Sequence, residues 1–427
     1  MLVEFTVGNF RSFRDRVTLS LRPDAEEYLA PSHIAVVGGE KLLRSTALYG
    51  LNSGGKTNLL RALRAMRLLV LRSNPRRRVR YLSTIQPFSL SVAHASAPSL
   101  FEVTFCLEGI RYRYGFEADR EHVAKEWLAR THSGGEEEAL FNRTPNEFEV
   151  SEKFPEGKDV VERTDAHVLF LSAVSGWNGG LAKGIEEWFR RWQTMVDIST
   201  TDTLETTADE LENDELRRRV TELAKAARLG FNALEVETPS DPAHDPFAPS
   251  ISAIERQRLF EARRILTHHP VYDDEGRHVH DAKFDLATDE SAGTRKFIAL
   301  SVRFLPALEN GGVVLVDELE AWMHPGMTRQ LLALFHSPVN RGNAQLVFAT
   351  HDTHLLQPDL LRRDQVWFVD KDRFDSSLLR RASDYDIGPN DDMEREYLLG
   401  LYGAVPPRGL IEEELKAEQR EPEAPAP

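Results

Sequence analysis

An α/β fold, with a mixed sheet that opens on antiparallel strands and carries a mainly helical insertion, is predicted by three observations. Apolar runs of strand length alternate with helical patterns, one run passes through a glycine-rich loop into a helix, and two later runs end in acids and in a histidine. Val3, Phe5 and Val7 alternate with period two, as do Val17, Leu19 and Leu21 beyond the Gly8-Asn9-Phe10-Arg11-Ser12-Phe13 connection, which predicts an antiparallel strand pair. Ala47, Leu48 and Tyr49 then make a short buried strand. Gly50-Leu51-Asn52-Ser53-Gly54-Gly55-Lys56-Thr57 follows, with Asn58 next and Leu59, Leu60, Leu63 and Met66 at helical spacing. That spacing suits a nucleoside triphosphate: glycines let backbone N–H groups turn toward phosphates, Lys56 reaches the β- and γ-phosphates, and Thr57 offers a hydroxyl to Mg²⁺.

From about residue 85 to 150 the chain reads as strands, with Phe101, Val103, Phe105 and Leu107 on one face and Arg111 to Phe116 returning after the Glu108-Gly109 turn. Beyond Gly180 the period changes to that of helices, at Ile185, Trp188, Phe189 and Trp192 and again over Leu216 to Ala227. Leu234 to Glu237 reads as a short strand, 239–250 as a loop, and 253–267 as a helix. Ser291-Ala292-Gly293-Thr294 then opens an apolar helix at Phe297. Val313 to Val316 is a buried strand ending in Asp317-Glu318, and Leu346 to Ala349 one ending in Thr350-His351. Polar groups at strand ends and helix starts are where open α/β sheets hold ligands. Asp317 is placed to bind Mg²⁺ directly or through water, Glu318 to orient the attacking water, and His351 to contact the γ-phosphate or that water.

Composition narrows the class. At 427 residues with 41% hydrophobic content, the chain has room for about two domains. With no basic segment leading into an apolar stretch, and no run long enough to span a bilayer, a cytoplasmic protein without membrane contact is expected. Cys106, the single cysteine, leaves no disulfide framework or thiolate-rich metal site. The net charge of −15 opposes whole-surface DNA binding, yet residues 41–80 hold eleven Lys or Arg and no acid, ending in Arg76-Arg77-Arg78-Val79-Arg80. This run faces nucleic acid or an acidic partner, or is simply a solvated helix end. His268-His269 and His278-Val279-His280 lack the carboxylate context of a metal site.

Taken together, Gly50 to Thr57, Ser291 to Thr294, Asp317-Glu318 and His351 resemble the ATP-binding-cassette ATPase heads of the SMC and RecF kind, and Asn9-Phe10-Arg11-Ser12-Phe13 looks like their N-terminal Asn-Phe-Arg-Ser segment. Glu290 to Thr294, Asp317-Glu318-Leu319-Glu320 with His324-Pro325, and Tyr397 through Gly400 to Tyr402-Gly403-Ala404-Val405-Pro406 look more closely like the bacterial ATPases of abortive-infection and restriction-linked loci, the RloA and AbiL type, to which the ATPase subunit of the PARIS defence system is similar. The order Asn52-Ser53-Gly54-Gly55 departs from the Asn-Gly-Ser-Gly of many such heads, at positions that stay small.

The resemblance implies a phosphate-loop NTPase of the ABC-ATPase head type that binds ATP and Mg²⁺. In such heads Ser291 and Gly293 of one subunit would close over ATP held on Lys56 of another, in a homodimer or higher homo-oligomer. Arg11 becomes a phosphate contact, and Gln86 the candidate Mg²⁺ or water ligand of the glutamine loop, against a surface turn residue. The implied organisation is an N-terminal lobe (1–119), an inserted strand and helical region for a partner, sensor or dimer contact (120–283), a C-terminal lobe (284–410) and a disordered acidic tail (411–427). The implied function is a switch ATPase controlling a separate nuclease or toxin effector encoded nearby. A RecF- or SMC-like DNA-repair ATPase, or a nuclease ATPase of the overcome-lysogenization-defect kind using Asp370-Lys371-Asp372, stays open as an alternative.

Overall fold

Two large sheets face each other across the helix Lys56–Arg72 in the computed structural model, which describes residues 1–25, 28–73, 81–196, 200–237, 263–385 and 392–405. The strands are β1 (Leu2–Gly8), β2 (Val17–Ser20), β3 (Ile34–Val37), β4 (Glu40–Leu43), β5 (Ser45–Gly50), β6 (Ser99–Leu107), β7 (Ile110–Ala118), β8 (Val123–Thr131) and β9 (Glu137–Arg143). They continue as β10 (Phe148–Val150), β11 (Gln193–Met195), β12 (Ala233–Glu237), β13 (Arg264–Tyr272), β14 (His278–Asp285), β15 (Val313–Val316), β16 (Gln345–Ala349), β17 (Val366–Lys371) and β18 (Ser377–Arg381). One sheet is antiparallel, in the order β10-β9-β8-β7-β6-β1-β2. The other runs β11-β15-β16-β5-β17-β18 and is parallel except for β18.

The parallel sheet explains why its strands read as unbroken apolar runs. β5, β15 and β16 are buried at every position, because both faces are covered. Successive side chains go to opposite faces, and so to different cores. Leu48, Leu315, Val347 and Val369 join the core shared with the antiparallel sheet, through Leu59, Leu63 and Met66 of the helix and Phe101, Phe105 and Tyr114. Ala47, Tyr49, Val314, Val316, Leu346 and Phe348 join the opposite core, with Phe297, Leu300 and Phe304 of the helix Ala292–Asn310 and Leu331 and Phe335 of the helix Pro325–His336. Buried Glu126 on β8 clamps the antiparallel sheet to the helix Phe170–Gly176, accepting N–H from Phe170 (2.6 Å) and Leu171 (2.9 Å) and O–H from Tyr114 (3.0 Å).

The α/β class and the antiparallel pairing of β1 with β2 follow the sequence expectation, with one correction: these strands lie in the antiparallel sheet, separate from the mixed sheet that carries β5, β15 and β16. The boundary expected at 119/120 falls inside the antiparallel sheet, between β7 and β8, which pair from Arg111↔Thr131 to Ala118↔Val123. The helix expected over 253–267 is corrected at its C-terminal end: Arg264 begins β13, which pairs with β12 and β14. Ile265, Thr267 and Val271 are β-branched and favour that extended course. The remainder of that expectation, the loop 239–250, Arg76 to Arg80 and the tail 411–427 lie outside the described residues.

A pair of stacked histidines closes the N-terminal end of β5. The rings of His33 and His336 lie 3.7 Å apart between centroids. His33 Nε2 is 3.0 Å from the Leu360 carbonyl, and His336 Nε2 is 2.8 Å from Ser45 Oγ. Burial, with Arg362 beside His33 and with His33 and Arg44 beside His336, holds both imidazoles below their ordinary value. The folded state therefore keeps them neutral, whereas the unfolded chain takes up protons below about pH 6.5. The contribution of the neutral pair to stability is fully present above that pH and is lost as pH falls from there toward the lower folded-state values. Urea midpoints measured from pH 7.5 to 5.5 should decline, and His336→Gln should flatten the decline.

Candidate active site

The segment after β5 is shaped by close backbone approaches. Gly50 has φ 148° and Gly55 φ 122°, and a Cβ at these positions would collide with the Val369 carbonyl and the Ser377 side chain respectively. Ser53 sits at φ 67°, so the exchanged Ser-Gly order puts a side chain into the left-handed region. Lys56 opens the helix, is 6% exposed, and donates from Nζ to the Gly50 and Leu51 carbonyls at 2.8 and 3.0 Å. Burial pulls its ammonium down to about pKa 8 against the opposing charges of Asp317, Glu320 and Glu318. Asn58 Nδ2 donates to Ser12 Oγ (2.8 Å), and Arg61 donates to Asn58 Oδ1 (3.0 Å).

Parallel neighbours carry the other expected residues to the same sheet edge. Asp317 and Glu318 follow β15, and Thr350-His351 follow β16, which lies between β15 and β5. Glu318 is held at φ 49°, a strained backbone for a non-glycine. Lys296 Nζ donates to its carbonyl, and the next N–H, of Leu319, donates to the Ala349 carbonyl at 3.1 Å. Burial, and then the charge of Lys56, hold the His351 imidazole below its ordinary value, so it is neutral at pH 7. Thr57 and Asp317 supply hard oxygen donors, a set that fits Mg²⁺.

A family model described as "AAA domain, putative AbiEii toxin, Type IV TA system" matches residues 45–179 and 187–357. The chain belongs to this AAA-domain family. Among solved structures, the SMC head bound to the C-winged helix domain of ScpA is similar over 89% of this chain and 96% of its own, at 12% identity and TM-score 0.43. The SMC head domain from Thermotoga maritima is similar over 89% and 98%, at 12% identity and TM-score 0.39. No curated protein matches. Among the described residues, no helix is long and apolar enough to cross a membrane.

In this AAA domain Ser291 caps the helix Ala292–Asn310, its Oγ accepting the Thr294 N–H at 3.1 Å, while Gly293 leaves no room for a Cβ beside the Trp322 carbonyl. A cleft of about 380 Å³ opens between that helix start and the Asp317-Glu318 turn, lined in part by Ala292, Lys296, Glu318 and Trp322. Arg11, at φ 51°, donates its N–H to the Gln86 carbonyl at 2.7 Å, which ties Gln86 by its backbone to the Asn9–Ser12 segment beside the loop; the Gln86 side chain is exposed. Several cations of the 41–80 run turn inward. Arg67 is pulled down to about pKa 10 by burial and donates to the Phe189 carbonyl at 3.1 Å, and Arg44 donates to the Asn340 carbonyl at 3.3 Å. Asp370 packs against Gly403, and Asp372 is engaged by Arg14 at 3.3 Å. His268 and His269 lie on β13, near Glu235 and Glu290 at 2.8 and 2.7 Å, and no metal-holding group of three such side chains occurs among the described residues.

Glu320, which stands in the sequence only as part of Asp317-Glu318-Leu319-Glu320, makes a specific contact in the structure. Its Oε1 accepts the His351 N–H at 2.7 Å, and its Oε2 is buried without a hydrogen-bond partner. The carboxylate thus spans from the Asp317-Glu318 turn to the histidine and lies within charge range of Lys56. Glu320→Ala should lower ATP turnover about tenfold with KM nearly unchanged, since one charge-assisted bond that orients His351 is lost. Glu320→Gln keeps the acceptor oxygen and should retain most of the rate. Steady-state kinetics of the two variants check this.

Proposed function

We propose that this chain binds ATP with Mg²⁺, hydrolyses it, and works as a dimeric switch that controls a separate nuclease or toxin effector in anti-phage defence. The observation that carries the reading is the convergence of Lys56, Asp317, Glu318 and His351 at the ends of three neighbouring parallel strands and the helix start beside them. Backbone N–H groups of Gly54 to Asn58 and the Lys56 ammonium take the phosphates. Thr57 and Asp317 would hold Mg²⁺, which neutralises charge on the phosphates when bound. Glu318, on its strained turn, accepts hydrogen bonds from the attacking water and orients it, while neutral His351 contributes a hydrogen bond to the γ-phosphate or that water. The family description, naming a toxin of a toxin–antitoxin system, and the sequence resemblance to the RloA and AbiL type support the defence role.

The placement of Ser291 at a helix start supports closure of a dimer. Its helix start offers N–H groups and a positive dipole end, suited to the γ-phosphate of ATP on a second copy. Ser291→Arg should bind ATP yet fail to hydrolyse it, because bulk there blocks closure. Mixing it with Lys56→Ala should restore partial turnover, since a mixed dimer keeps one composite site with intact Lys56 from one chain and intact Ser291 from the other. Phosphate release measured across mixing ratios tests this; no rescue at any ratio would remove the shared site.

A further inference from the structure

A nucleotide has two chemically different ends, and the phosphate loop sets where each lies. Lys56, whose charge is felt by Asp317, Glu320 and Glu318, marks the terminal-phosphate end. Asn58, two residues along the helix, points elsewhere: its amide reaches Ser12 Oγ at 2.8 Å. Ser377 Oγ lies 2.7 Å from that same hydroxyl and 2.6 Å from the Gly54 carbonyl, and the Ser377 N–H donates to the Ser12 carbonyl at 2.7 Å. The turn between β17 and β18 is therefore bonded directly to the phosphate loop, on the side of β5 away from β15 and its carboxylates.

At the tip of this turn stands Phe374, 50% exposed, with the Arg14 guanidinium carbon 5.1 Å and that of Arg373 4.7 Å from its ring centroid. Arg14 is fixed by Asp15 at 2.7 Å and Asp372 at 3.3 Å, and its N–H donates to Ser376 Oγ at 3.2 Å. The Phe374 N–H donates to Asp372 Oδ1 at 2.8 Å, which holds the tip in shape. A single exposed aromatic is ordinary on a protein surface. Here two guanidinium groups lie over its ring and the turn is tethered to a phosphate loop, and a stack of aromatic and guanidinium planes suits the π-face of a heteroaromatic base. Asp15 and Asp372 pair with Arg14, and Asp375 pairs with Lys371 at 3.0 Å, so the charges of the turn are largely matched and it offers no concentrated positive charge to a phosphate group.

We infer that the stack of Phe374 with the Arg14 and Arg373 guanidinium groups over its ring is the platform for the base of the bound nucleoside triphosphate, which makes the β17–β18 turn the base-recognition element of the site. The inference rests on the reading of the phosphate loop given under Proposed function. The test compares ATP with inorganic tripolyphosphate, which lacks a base, in equilibrium binding to the full chain with Mg²⁺. Phe374→Ser should weaken ATP about tenfold and leave tripolyphosphate unchanged. Phe374→Trp should restore ATP affinity, with its fluorescence quenched by ATP and not by tripolyphosphate. Equal loss of both ligands in Phe374→Ser, or unchanged ATP affinity there while Lys56→Ala loses it, would overturn the platform and leave the phosphate loop standing. Failure of the unaltered chain to bind ATP at all would overturn both.

Discussion

Lys56→Ala should lose ATP affinity by at least about a hundredfold, the largest binding effect expected of any single substitution in this chain. The ammonium is buried and donates to two loop carbonyls, Gly50 at 2.8 Å and Leu51 at 3.0 Å. A bound phosphate would replace neutral acceptors with charged ones around a cation that already lacks solvent, which strengthens each bond. No other lysine lies on the loop itself. Removing Lys56 leaves the loop N–H groups facing several negative charges without their cation, with the carboxylates of Asp317, Glu318 and Glu320 adding repulsion. Equilibrium binding of a fluorescent ATP analogue measures the loss. An affinity within a few-fold of the parent would show that the phosphates are held elsewhere.

Glu318→Gln should do the reverse: keep ATP binding near normal and lower turnover by about 10²- to 10⁴-fold, the range expected when a positioned general base is removed. The amide preserves size and leaves untouched the backbone bonds that hold the turn, from Lys296 to the Glu318 carbonyl and from the Leu319 N–H to the Ala349 carbonyl. Only the acceptor for the water proton changes. Pre-steady-state phosphate release separates chemistry from product release, and normal turnover in this variant would remove Glu318 from its role. On the proposed ATP-dependent closure, the same variant should accumulate the dimer, seen as a larger species by size-exclusion chromatography.

Much of the candidate site could be read from the sequence because its residues are consecutive. A loop of glycines followed by lysine and threonine between strand and helix carries its function in consecutive residues, and β5, β15 and β16 announce burial on both faces by their apolar runs. The alternating N-terminal strands were legible for a similar reason, since one residue in two must reach the core. The start of β13 was misread because its arginine-rich surroundings carry little period, and pairing with β12 and β14 supplies the extended course that local pattern does not. The boundary implied at 119/120 lies between β7 and β8, which hydrogen-bond to each other across it.

Residue types and their spacing alone determined the α/β class, the phosphate loop, and the candidate acids and histidine at strand ends, because each is encoded within a few consecutive positions. Tertiary structure decided which distant segments meet. It set Glu320 on the His351 N–H, Lys296 on the Glu318 carbonyl, His33 against His336, and the Phe374 turn against Gly54. Each of these contacts joins residues separated in sequence by other elements, so its formation depends on strand order and helix packing, quantities set by the whole core and by no local pattern.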